Sequence, residues 1–250
     1  MQGTIFFNFI LITLFGMLSC NSDNDSGPSI TDPDQEATLH AAFAEFDENN
    51  TDIYMDGSEF VIETNGMPNH TTTYWGEGHE MYLDEPNVNT TPSIIPNFDA
   101  SATLRISADP QKAASTSSTR LGPIGISVSG AAIFNGEEGN GPLSNAIVSI
   151  DHAGGHIGPG VYHYHLEPSP LSNNDTNLVG IMADGFFIYG RKCHATNGYP
   201  TDLDVSGGHS SVTQHTNESE YHYHIINEFY TGTHILIFGG DYQGIPNAIN

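Results

Sequence analysis

"GPGVYHYHLEP" spans Gly158 to Pro168, and its central word, Tyr162 to His165, returns at Tyr221 to His224 within "ESEYHYHIIN". On an extended strand successive side chains point to opposite faces. The word therefore reads as a strand with two phenols, Tyr162 and Tyr164, on one face and two imidazoles, His163 and His165, on the other. Tyr221 and Tyr223 oppose His222 and His224 in the same way.

Working outward, each word ends a longer repeat. "DHAGGHIGPGVYHYH" starts at Asp151 and "DVSGGHSSVTQHTNESEYHYH" at Asp204, and each is followed by an apolar, glycine-bearing run, "LVGIMADG" or "HILIFGG". The shared pattern, Asp-x-x-Gly-Gly-His, a variable loop, then Tyr-His-Tyr-His, predicts an internal duplication with repeats near 151–190 and 204–242. Other short apolar or β-branched runs lie between Gly, Pro, Asn and Asp turns: Glu59–Thr64, Ala102–Ser107, Gly125–Phe134, Ala146–Asp151, Leu178–Ala183, Phe186–Gly190 and His234–Gly240. These features predict an all-β fold, an antiparallel β-sandwich or barrel-like domain, because no long amphipathic helices lie between the strands to cross over. One short N-terminal helix is expected over Ala37–Phe46, with Leu39, Phe43 and Phe46 on one face. "DENNTDIYMDGSE" near Asp47 fails the calcium-loop spacing, with Asp52 where the turn needs Gly and Ser58 where Glu should stand, so it reads as an acidic turn.

Thirty acids face five bases, for a net charge of -25 over 250 residues. Without clustered Lys and Arg, a nucleic-acid partner is not expected. The apolar run Ile5 to Leu18, ending at Ser19 before Cys20, reads as an export signal and resembles a bacterial lipoprotein signal. The expected organisation is a signal at 1–19, a flexible acidic tether at 20–36 and a single β-domain at 37–250. Membrane contact is expected only through a lipid anchor at Cys20, on the bacterial outer membrane or cell surface, with a periplasmic or secreted form otherwise. With Cys20 lipidated, Cys193 has no disulfide partner; it reads either as a buried small apolar residue or as a soft metal ligand beside His194.

Two imidazoles at i and i+2 on a strand can reach a common ion, and first-row metals want at least three protein ligands. His156 and His209, just after the glycine pairs, are the expected third ligands beside His163 and His165 and beside His222 and His224. Either each repeat builds its own site or the two strands pair to form one larger cluster. Asp151 and Asp204 are candidates to orient the rings, or else to cap turns. Tyr162, Tyr164, Tyr221 and Tyr223 are candidates for site walls or, less directly, ligands. His152, His194 and His215 read as loop residues.

The doubled word, with "ADGFFIYG" between its copies, resembles the YHYH-domain family. "TNGMPNHTT", Thr64 to Thr72, resembles that family's Asn-Gly-x-Pro-x-His segment, and "GPIGISVSGAAIFN" its stretch before the first histidine word. The likeness runs from about residue 58 to the C-terminus. It implies His70 as a further ligand candidate, and Asp184 and Tyr189 as site-wall candidates. Where the family carries a cysteine and asparagine in the second repeat, this chain has Ser206 and Gly207.

The expectation that follows is an exported copper- or zinc-binding protein. A metal-dependent hydrolase or oxidoreductase, with Asp184 or Glu167 as base, is the alternative, since a histidine-ligated ion with an open position activates water. A glycan-recognition module built on exposed tyrosines is a further one.

Overall fold

The structure is a computed structural model that describes residues 38–90, 92–158 and 160–250. The expected signal, Cys20 and the acidic tether lie outside the described residues. Among the described residues no helix is long and apolar enough to cross a membrane.

In chain order the strands are β1 (Thr51–Asp56), β2 (Glu59–Thr64), β3 (Ala102–Ser107), β4 (Ser117–Ser118), β5 (Gly125–Ser127), β6 (Ala132–Ile133), β7 (Glu137–Glu138), β8 (Gly141–Pro142), β9 (Gly155–Ile157), β10 (Tyr162–Tyr164), β11 (Leu178–Met182), β12 (Phe187–Tyr189), β13 (Gly208–Ser211), β14 (Glu220–His224) and β15 (Asp241–Tyr242). Strands β1, β2 and β3 form an antiparallel sheet. An eight-stranded sheet has the order β13-β14-β12-β11-β5-β6-β10-β9, and β15-β4 and β7-β8 are two-stranded ribbons.

The eight-stranded sheet is two copies of one four-stranded unit. From its centre outward, β5-β6-β10-β9 matches β11-β12-β14-β13: the first pair in each is antiparallel, the second parallel and the third antiparallel. The halves meet at the antiparallel pair β5 and β11, where Ile126 lies opposite Ile181. This places a pseudo-twofold axis through that pair. "GISVSGAAIF" is thus the counterpart of "GIMADGFFIY", with Gly125 equivalent to Gly180, Ile126 to Ile181, Gly130 to Gly185 and Ile133 to Ile188. Gly130 and Gly185 both sit at positive φ, +101° and +92°, where a side chain is strained, and each turns its hairpin. The two parallel pairs, absent from a purely antiparallel expectation, arise because the chain first runs out to the edge strand, β9 or β13, and returns antiparallel to it as β10 or β14, alongside β6 or β12.

Both sheets feed one buried cluster. Phe60, Ile62, Leu104 and Ile106 from β2 and β3 join Ile126, Ile133, Ile181 and Ile188 from the large sheet. Each such side chain contributes about 1.5–3 kcal/mol by leaving water, which fixes the frame on which the histidine strands ride.

Several local expectations are corrected. The expected N-terminal helix is a five-residue 3-10 turn, Ala41–Glu45: Phe43 and Phe46 enter the core but Leu39 is exposed. The segment read as an acidic turn near Asp47 contains β1, whose Ile53 and Met55 pack on the core while Asp52 and Tyr54 face out. Ala146–Asp151 holds a 3-10 turn, Ile147–Ser149. His234–Gly240 has no strand, only isolated bridges at His234 and Leu236, although Ile235, Ile237 and Phe238 are buried.

Candidate metal centres

The third histidine of each repeat reaches its place through strand register. β9 pairs antiparallel with β10 so that His156 lies opposite His163, and β13 pairs with β14 so that His209 lies opposite His222. Residues directly opposite in such a pair point to the same face. The two glycines before each histidine divide the work. Gly154 and Gly207 both adopt φ +83° to make the turn, whereas a Cβ at Gly155 or Gly208 would collide with the hydroxyl of Tyr162 or Tyr221. Asp151 and Asp204 close the turns. Asp151 Oδ1 accepts from Ala153 N–H and Gly155 N–H, and Asp204 Oδ1 from Ser206 N–H and Gly208 N–H. Their second oxygens accept from the Tyr162 and Tyr221 hydroxyls at 2.8 Å. Neither aspartate touches an imidazole of the clusters, so turn-capping is their role.

The ring tautomers follow from the partners at Nδ1. His163 donates to Val161 O, His165 to Asn135 O, His222 to Glu220 O and His224 to Gly190 O, because a carbonyl can only accept. Ser149 Oγ spends its hydrogen on Ala146 O at 2.7 Å, so it accepts from His156 Nδ1–H. His209 Nδ1 donates to the Asp202 carboxylate at 2.9 Å. With every Nδ1 carrying the hydrogen, each neutral ring presents a bare lone pair at Nε2.

Those lone pairs converge. His163 Nε2 lies 2.9 Å from His165 Nε2, and His222 Nε2 lies 3.1 Å from His224 Nε2. Two acceptors cannot hydrogen-bond to each other, so the pairs repel unless something electron-poor lies between them. In the first cluster Glu138 Oε1 is 2.9 Å from both His156 Nε2 and His165 Nε2, yet Glu138 Oε1 and His156 Nε2, both buried, make no aligned hydrogen bond. Glu138, His156, His163 and His165 can all offer a ligand atom within 4.8 Å of one another, and so can Cys193, His209 and His224. His222 lies outside that mutually close group but adjoins it, through its Nε2 contact with His224. The order of the sheet keeps β10 and β14 apart, so the histidines form two clusters instead of one.

The surroundings favour neutral rings. Burial pushes His156 and His222 down to about 4 and His224 to about 3, and holds His163 well below the ordinary imidazole value. Phe134 stacks on His163 at 3.8 Å, and its counterpart Tyr189 meets His222 edge-on at 5.2 Å. His156, His163, His222 and His224 are thereby held neutral, and six buried imidazoles braced at Nδ1 form the kind of donor set that a transition metal requires.

The other expected residues lie elsewhere. Tyr162, Tyr164, Tyr221 and Tyr223 face away from the cluster imidazoles, toward Asp151, Ser129 and His70, Asp204 and Asp184, so they wall neither cluster. The first two and Tyr223 are buried and Tyr221 is half-buried, so these four form no exposed row for stacking on a sugar. Asp184 is on this tyrosine side, accepting from Tyr223 Oη at 2.6 Å and from Gly244 N–H at 3.0 Å. Burial raises its carboxyl pKa. His70 is there too, with Nε2 2.7 Å from Tyr164 Oη and Nδ1 2.9 Å from Thr71 O, so it joins neither cluster. Tyr189 alone of the wall candidates lines a cluster, and its hydroxyl meets His215 Nδ1. Glu138, Asp202 and Ser149 were not anticipated. The signal that finds Glu138 is the repeat: residues 125–138 align with 180–193, which sets Glu138 opposite Cys193.

Fold and site together define an all-β protein with two pseudo-symmetric, histidine-rich clusters that could hold a metal. Residues 103–201 match the family model described as YHYH protein, the family that the doubled word resembles. The match takes in β5 to β12 and the first Tyr-His-Tyr-His, while the second word lies beyond it. No curated protein and no solved structure matches the chain.

Proposed function

We propose that the protein binds two transition-metal ions, copper or zinc, one in each histidine cluster, and acts in capture, buffering or delivery of metal after export to the cell surface. The observation that carries this reading is the pair of facing Nε2 lone pairs in each half, with every Nδ1 hydrogen committed elsewhere. An imidazole-rich set suits zinc or copper, whose bonds to histidine nitrogen are about 2.0–2.1 Å. Export and lipidation at Cys20 rest on the apolar run and the polar stretch after it. Elemental analysis of protein purified without an affinity tag or chelator tests the reading. The expected result is two ions per chain, both lost when His163, His165, His222 and His224 are changed to alanine. No metal in the unaltered protein, and no rise in Tm when zinc or copper is added, contradicts it.

One observation favours a metal-dependent enzyme as a second reading. A cavity of about 320 Å³ is lined by His224, Ser206, Ile226, Tyr230 and Phe238, next to the second cluster. A water exchanging on a metal ion at that cluster, seen by proton relaxation, would support a hydrolase or oxidoreductase; a fully protein-ligated ion would support storage or transfer.

A further inference from the structure

We infer that the two centres are not interchangeable: the Glu138 centre takes zinc and the Cys193 centre takes copper. This rests on the reading of both clusters as metal centres. The two residues occupy one position of the duplicated unit, because the alignment that sets Ile126 on Ile181 also sets Glu138 on Cys193. Three imidazoles are kept in both copies, whereas the fourth donor changes from oxygen to sulfur.

Each residue puts a donor atom beside imidazoles of its own copy. Glu138 presents Oε1 to two Nε2 atoms at 2.9 Å, and this oxygen lacks an aligned hydrogen bond. Cys193 is buried and free, its Sγ within 4.8 Å of ligand atoms of His209 and His224. Ser211 Oγ bridges the two groups, 3.4 Å from Cys193 Sγ and 3.3 Å from His209 Nε2. Thiolates favour copper(I) and zinc alike, whereas imidazoles with a carboxylate favour zinc, so only the sulfur-bearing copy offers copper(I) a soft donor. Copper(I) with one thiolate and three neutral imidazoles carries no net charge, which a buried site favours.

The outer partners differ as well. His156 donates to the uncharged Ser149 hydroxyl, whereas His209 donates to the Asp202 carboxylate. A carboxylate behind the imidazole raises its basicity as a ligand. The duplication has thus diverged at the fourth donor and again one bond behind the third.

Cobalt(II) is the first probe, since it binds both kinds of site and shows a sulfur-to-metal charge-transfer band only where a thiolate ligates. The chelated full-length protein, titrated anaerobically, is expected to take two cobalt ions, one of them with that band. Cys193→Ser should abolish the band, and Glu138→Gln should leave it intact. Loading with one equivalent each of copper(I) and zinc should then give one of each per chain, with Cys193→Ser losing copper selectively and Glu138→Gln losing zinc selectively. The wild-type spectrum needs no variant to fold. Two bound cobalt ions without the sulfur band, or variants that lose both metals alike, overturn the inference and leave metal binding standing. A wild-type protein that takes up no ion overturns both.

Discussion

Lowering the pH of the metal-free protein from 7 to 5 is expected to destabilise it through the clustered imidazoles. Burial holds His156 and His222 near 4 and His224 near 3, against an ordinary value of 6.5. Between these values the unfolded chain binds protons that the folded clusters refuse, so stability falls as the pH falls. The contribution of each ring is fully present above 6.5 and is lost progressively as the pH drops toward the folded value. By pH 5 one ring has given up about 2 kcal/mol. In a chain of this size each kcal/mol moves Tm by about 2–4 °C, so a single ring lowers Tm by about 4–8 °C. Relief of repulsion among thirty acids works the other way, but exposed carboxylates titrate mainly below pH 5. The assay is calorimetric Tm at pH 7, 6 and 5 after chelation, beside the metal-loaded protein, which should resist over this window because the ion holds the lone pairs. A Tm that stays level or rises toward pH 5 would refute the reasoning, since it would mean that the clusters already hold protons, with Glu138 as counter-ion in the first.

Removing the carboxylate behind His209 by Asp202→Ala should weaken metal binding at the second cluster alone by about 10–100-fold. The fold should persist, because the Asp202 side chain is largely exposed; calorimetric titration checks both points. Gly154→Ala combines φ +83° with a Cβ 2.7 Å from Leu166 O. It should cost at least about 1–3 kcal/mol by urea unfolding. Ile126→Ala opens a cavity at the pair on which the two halves meet, and the expected loss is about 2–5 kcal/mol, read as a lower Tm with both metals retained.

Much of the fold is legible in residue alternation. Tyr-His-Tyr-His declares its two faces, and the repeated Asp-x-x-Gly-Gly-His declares the duplication. The glycine pair misleads, because Gly154 and Gly207 invite a loop reading, yet the residues that follow them are the strands β9 and β13. Register, which sequence does not display, is what carries His156 and His209 to the imidazole face. β1 hides because its polar, acid-rich edge faces solvent and only Ile53 and Met55 mark its inner side. His234–Gly240 errs the other way, apolar enough for a strand but buried as irregular chain. At the site, Cys193 was visible beside His194 as a soft-ligand candidate, whereas Glu138 looked like one acid among thirty. Only the equivalence of the two hairpins distinguishes it. His70 and Asp184 belong to the tyrosine face, where a long loop and a hairpin turn bring them to phenol hydroxyls.

The most direct measurement is anomalous diffraction from crystals of the protein loaded with zinc and copper, recorded at both absorption edges. Two peaks are expected, one among the Nε2 atoms of His156, His163 and His165 with Glu138 Oε1, the other among those of His209, His222 and His224 with Cys193 Sγ. Peaks at other residues, or none at either cluster in crystals soaked to saturation, would contradict the account.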